Sequence, residues 1–249
     1  MAMSYSTHTA NLPQGLEPER WMEYSPAMNL TRPVGVILAG ALVLASVLCG
    51  VPSAAQSPGS AVAQSNDNAS ITASSFMNDA VNAAAAGEFE RAVSLYEQAA
   101  DSGSTEAMLV LGAMYLEGFG VEANATTGGD WFSRAAELGD PLAQYNLGYL
   151  CLMGLGRDQD MQEAFQWFRL AAEQGHADAM HNLALMYEEG LSGPANPALA
   201  YFWGLVAERE GASNAEGLAA LFERLEAKLS DQERTLAREL AGDWRPVQR

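Results

Sequence analysis

Trp131–Gly156 reads WFSRAAELGDPLAQYNLGYLCLMGLG, and Trp167–Ser192 reads WFRLAAEQGHADAMHNLALMYEEGLS. The second stretch starts 36 residues after the first and repeats its residue types place by place. The register extends in both directions. Ala99, Ala135, Ala171 and Ala207 fall on it, as do Gly103, Gly139, Gly175 and Gly211, and Ala107, Ala143, Ala179 and Ala215. Leu111, Leu147 and Leu183 follow, with Gly118, Gly154 and Gly190, and then Trp131, Trp167 and Trp203. A fixed period of this size marks a solenoid, in which each unit buries its apolar face against its neighbours.

Each unit reads as two helices. The first helices are expected at 105–117, 141–153 and 177–189, with Ala143, Leu147 and Leu150 forming one apolar stripe. The second helices are expected at about 126–138, 161–174 and 197–210, with Ala164, Trp167, Phe168 and Ala171 as their stripe. A methyl group at the contact lets two helix axes approach to about 8–10 Å. Gly139 and Gly175 suit the left-handed position after a helix, as do Gly118, Gly154 and Gly190. Pro141 opens a helix, where its missing N–H costs nothing. The ends depart from the pattern. Residues 73–100 have a shorter inter-helix link, Ala212–Lys228 forms a helix without the repeat's Leu or Gly, and Ser230 with Glu233 makes a capping box for a last helix running to about Gly242. The polar residues of that helix suit a solvent-facing cap.

The 249 residues are 49% apolar, enough for a sizeable core. The formal charge is −18, and 12 of the 13 basic residues are Arg, Lys228 being the lone Lys. So acidic a chain is a poor fit for nucleic acid or an anionic membrane. It points to a protein or small-molecule partner. The two cysteines, Cys49 and Cys151, are too few for a disulfide framework.

Val34–Val51 carries no charge, and small residues follow at Ser53 and Ala55. This is the order of a secretory signal, with cleavage expected after Ala55. Glu17, Glu19 and Glu23 do not suit a signal's basic flank, whereas a start at Met28 gives a conventional signal over 28–55. Residues 1–27 are then an over-extended reading frame or disordered. The competing readings are an uncleaved anchor at 34–51, since eighteen residues just span a bilayer, and lipid attachment at Cys49. Residues 56–70 read as a disordered linker. The repeat domain is expected over 71–245, divided at 71–102, 103–138, 139–174 and 175–210, with a cap at 211–245.

The strings AQYNLGYLCLMGLG and WFRLAAEQGHADAMHNLALMYEEG resemble the Sel-1-like repeat family. The resemblance covers roughly 87–212, with weaker ends to about 245. It implies an all-α, right-handed solenoid related to tetratricopeptide arrays, with a concave face lined by first helices. It also implies an adaptor or scaffold role in protein complexes. This chain lacks the cysteines of the disulfide-bearing branch, so properties special to that branch are not carried over. Cys151 stands where Tyr115 and Tyr187 stand in their repeats.

No catalytic constellation assembles from the sequence. GxSxG, SxxK, HExxH and GxGxxG are all missing. His176 and His181 are five apart, so they share no ligand face, and they read as unrelated surface or groove residues. Cys151 reads as core, with no basic neighbour placed to activate it. Glu188 and Glu189 read as a solvated helix end, and the Trp131, Trp167 and Trp203 ladder as packing between repeats. No cofactor, metal or enzymatic activity is expected.

In the tetratricopeptide register that the resemblance implies, exposed groove positions are Leu109, Ala113 and Leu116, then Tyr145, Tyr149 and Leu152, then His181, Leu185 and Glu188. Tyr145, Tyr149 and His181 line up on successive first helices, with Leu109, Leu185 and Glu188 beside them. Aromatic residues with a polar tip suit recognition. Asn146 and Asn182 are read as bonding backbone across helices. The function read from these features is a periplasmic or secreted scaffold that binds a protein or peptide, such as an envelope or membrane protein, without nucleic acid and without stable membrane insertion once the signal is cut. The alternative is a binder of cell-wall fragments or an accessory to a cell-wall enzyme.

Overall fold

The computed structural model describes residues 64–247. The expected signal at 28–55, and the anchor and lipidation readings with it, lie outside the described residues. So do residues 1–27. The described residues form ten α-helices and no strand: α1 Gln64–Ala85, α2 Phe89–Asp101, α3 Thr105–Glu117, α4 Ala125–Glu137, α5 Pro141–Met153, α6 Met161–Glu173, α7 Ala177–Glu189, α8 Pro197–Arg209, α9 Ala215–Glu226 and α10 Asp231–Asp243. Helices pair as α1 with α2, α3 with α4, α5 with α6 and α7 with α8, and each second helix packs on the next first helix. The described residues form an all-helical solenoid.

The two helices of a repeat differ in kind. Every residue of α3 from Ala107 to Met114 is buried, and α5 buries Ala143 to Gly148 without a break. A helix apolar on all sides belongs in the interior, so the first helices form the spine of the array. The second helices bury one stripe; in α6 it is Ala164, Phe168, Ala171 and Ala172. The core runs continuously through all repeats.

Small residues set how closely these helices pack. A Cβ on Gly128 of α4 would lie 2.8 Å from the Gly112 carbonyl oxygen of α3, so the two backbones touch there. Between repeats, Gly156 has φ +70 and sits on the start of α4, where an added Cβ would lie 2.4 Å from the Ala125 carbonyl carbon. Thr126 Oγ1 donates to the Gly156 carbonyl at 2.8 Å and ties the two repeats together. Side chains cap both kinds of helix. Ser104, Asp140 and His176 accept the backbone N–H three residues on for the first helices, as do Asn124, Asp160 and Asn196 for the second. The N–H groups of Asn124, Asp160 and Asn196 also donate to the carbonyls of Tyr115, Cys151 and Tyr187 at 2.7, 2.9 and 2.8 Å. Each turn therefore satisfies carbonyls that the preceding helix leaves unpaired.

The ends differ from expectation. Helix α1 begins at Gln64, inside the stretch expected to be a disordered linker over 56–70. No Gly or Pro occurs from Ser60 to Ala86 to interrupt it. Helix α9 starts at Ala215 rather than 212, because Asn214 caps it by accepting from Gly217 N–H at 2.9 Å. The capping box of Ser230 and Glu233 opens α10. That helix lies along α8, burying Ala237 and Ala241.

Ala171 is fully buried at the α6 contact. Ala171→Leu is expected to overpack it and lower stability by about 1–3 kcal/mol, measured by urea unfolding; an unchanged midpoint would overturn the assigned stripe.

Candidate interaction surface

The residues expected to line an open groove are mostly inside the molecule. Leu109, Tyr145, His181, Leu185 and Glu188 are buried, as are Ala113 and Leu152, while Tyr149 and Leu116 are half-buried. The reason is the all-round burial of the first helices: neighbouring repeats close over these positions. The Tyr145 ring stacks on the His176 ring with centroids 4.5 Å apart and planes 16° from parallel. His176 is half-buried, and its Nδ1 caps α7 by accepting from Ala179 N–H at 3.2 Å.

Glu188 corrects two expectations, since it is neither a groove residue nor a solvated helix end. Its side chain is 1% exposed and lies between Arg224 and Lys228 of the cap. Arg224 donates through Nε and Nη2 at 3.0 and 2.6 Å, and Lys228 Nζ donates at 3.1 Å. Burial pushes the carboxyl up, but these hydrogen bonds and charges more than reverse it and hold it below the usual range. Arg224 stands 36 residues after Glu188, at the same register position one repeat on. Opposite charges at one register position were the available signal for this clasp.

Burial governs the other titratable groups. It pushes the Tyr145 hydroxyl up, with Asp178 adding to the effect and a hydrogen bond from Asn182 opposing it. It pushes the His181 imidazole down to about 4, where Asp178 opposes and Arg224 assists. Among the described residues, His181 Nε2 and both amide atoms of Asn146 are buried without a hydrogen-bond partner, so Asn146 does not make the cross-helix backbone bond expected of it.

Cys151 does have a basic neighbour. Arg157 Nη1 lies 2.9 Å from its Sγ and 3.1 Å from Glu163 Oε1. Burial still dominates and raises the thiol to about 11, so it remains a protonated core group. Two register differences accompany this contact. Phe165 packs edge-on against Tyr187 at 5.4 Å, and the equivalents one repeat earlier are Gly129 and Cys151.

The tryptophans do not form one uniform ladder. Trp131 and Trp167 are half-buried and Trp203 is buried. Trp167 Nε1 donates to Glu163 at 3.1 Å. Among the described residues, no three His, Cys, Asp or Glu side chains come together to hold a metal ion, and no helix is long and apolar enough to cross a membrane.

The Sel1 repeat model matches residues 88–104, 105–140, 141–176 and 177–210. Residues 88–210 are a run of Sel1 repeats. Two solved structures are similar. One is a protective antigen from uropathogenic Escherichia coli displaying an SLR fold: 32% identity, TM-score 0.54, covering 61% of this chain and 32% of that one. The other is a Sel1 repeat protein from Oxalobacter formigenes: 26% identity, TM-score 0.52, covering 64% of this chain and 66% of that one. The chain thus spans about a third of the first protein and just under two thirds of the second. No curated protein matches the chain. Sel1 repeats generally mediate protein–protein interaction, and they are typically non-catalytic scaffolds.

The unfolded chain takes up a proton on His181 near pH 6.5, whereas the folded chain does so only near 4. Stability is therefore lost as pH falls through that window. The depressed Glu188 carboxyl acts in the same direction at lower pH. His181→Leu, which installs the residue found at Leu109, is expected to flatten the loss between pH 7 and about 4.5 in urea unfolding. Equal slopes for the two proteins would show that His181 is not held neutral inside.

Proposed function

We propose that this chain is an exported, non-enzymatic adaptor of the cell envelope that binds another protein or peptide on its first-helix face. The observation that carries the reading is the Sel1 array itself, whose rigid capped turns present side chains on fixed helices. Tyr149 is the member of the expected patch that solvent reaches. Tyr145, His181, Leu109, Leu185 and Glu188 are buried in the first helices that carry that face. The net charge of −18 favours a partner with a basic surface and repels acidic ones.

The export part of the reading rests on the charge-free run Val34–Val51 followed by Ser53 and Ala55. On this reading the protein works in the periplasm or outside the cell, as part of a signalling or assembly complex.

A photo-crosslinker placed at Tyr149 in cells is expected to capture one dominant envelope protein. Capture of cell-wall fragments instead would move the protein to the alternative role, and an unaltered chain would overturn the face assignment. Deleting residues 1–27 is expected to leave export intact, read from the N-terminus of the secreted chain. Loss of export would place the start at Met1.

A further inference from the structure

Trp131, Trp167 and Trp203 share one register on successive second helices, and two of them are covered. Trp131 lies under the Arg134 guanidinium, 4.4 Å from the ring centroid, and Arg134 is paired with Asp101 at 3.2 Å. Trp203 is covered by Trp244, edge-on at 5.9 Å, from the segment that follows α10. That segment leaves the helix in an extended conformation, with φ −62 and ψ 140 at Trp244. Pro246 then lies against Gly175, and Val247 N–H donates to the Glu173 carbonyl at 2.7 Å. Glu173 ends α6, so its carbonyl is one the helix cannot use. Arg209 closes the seat by donating to the Trp244 carbonyl at 3.1 Å. A seat thus consists of a tryptophan on one second helix, plus the glycine and last carbonyl of the second helix before it.

One repeat earlier the same three elements are Trp167, Gly139 and Glu137. Neither kind of cover lies over Trp167 among the described residues. The position of Arg134 is taken by Leu170. Apart from its chain neighbours, no atom of the described residues lies within 4 Å of where a Gly139 Cβ would be, whereas Pro246 is 3.4 Å from the Gly175 equivalent. Leu138, between Glu137 and Gly139, is 61% exposed, more than any other large apolar side chain described. Trp203 under its cover is only 9% exposed.

We propose that this open seat on the α4–α6 edge binds an extended segment of a partner protein with the chemistry of Trp244–Val247. That chemistry is an aromatic residue for Trp167, a basic residue, and a proline–aliphatic pair for Gly139 and Leu138. A backbone N–H of the segment donates to the Glu137 carbonyl. The exposed Glu137 side chain and the acidic chain favour the basic residue. Proline lowers the entropy lost when such a segment is ordered. The occupant comes from another protein rather than a second copy, because this chain's own segment is held in its seat by Val247 and Arg209. The seat lies on second helices, so it stands or falls independently of the first-helix face.

The test is fluorescence anisotropy with an acetylated, labelled peptide of the sequence of residues 242–249, titrated into the full chain. Saturable binding is expected, weakened about tenfold or more by Leu138→Glu. Leu138 is exposed, so that variant keeps its fold, checked by thermal unfolding, and Trp167→Leu is expected to weaken binding likewise. Absence of saturable binding would overturn the proposal. So would binding that Leu138→Glu leaves unchanged, which would mean the peptide displaces the chain's own segment at Trp203.

Discussion

Every repeat depends on one alanine that serves two purposes at once. Ala99, Ala135, Ala171 and Ala207 have no exposed surface, and their methyl groups let neighbouring helices meet closely. Their carbonyls accept the N–H of the residue five positions on: Ser104, Asp140, His176 and Ala212. The same residue therefore sets the distance between helices and closes the turn that leads to the next one. A larger side chain would push the helices apart, and the turn would lose its geometry with them. Because each repeat contacts only its neighbours, that geometry must be met again in every unit.

The period made the fold legible. Alanine, leucine and glycine recurring at 36 residues gave the helices of the central repeats nearly to the residue, since a solenoid repeats its solution. The side-chain environments were harder to read. Whether Tyr145 or Glu188 meets solvent depends on what the adjacent repeat places against it, and a register borrowed from another repeat family does not carry that information. Arg157 reaches Cys151 from the seven-residue turn between α5 and α6, at a position where the neighbouring repeats have Val121 and Gly193, so the period carries no sign of it. The Glu188–Arg224 pair was legible in principle, as opposite charges one period apart. The cover over Trp203 was not, because it comes from a segment outside the repeat.

The two helix types divide the work of the array. First helices make the spine and take up its buried polar groups, some of which, such as Asn146, find no partner there. A polar group inside an apolar core costs stability unless it is bonded. Second helices carry tryptophans with unequal cover, an exposed leucine and end carbonyls that their own helix does not use. The buried spine and the more open helices thus alternate along the sequence at about half a period.

The clasp on Glu188 has a practical side. Lys228 is the only lysine in the chain, and its ammonium is tied to a carboxylate buried one repeat away. Amine-directed reagents, acyl transfer included, have a single side-chain target in this protein. Acylation there removes one of the cations that hold the buried Glu188 carboxylate. Chemistry at one half-exposed atom is thereby coupled to how firmly the far end of the array is closed.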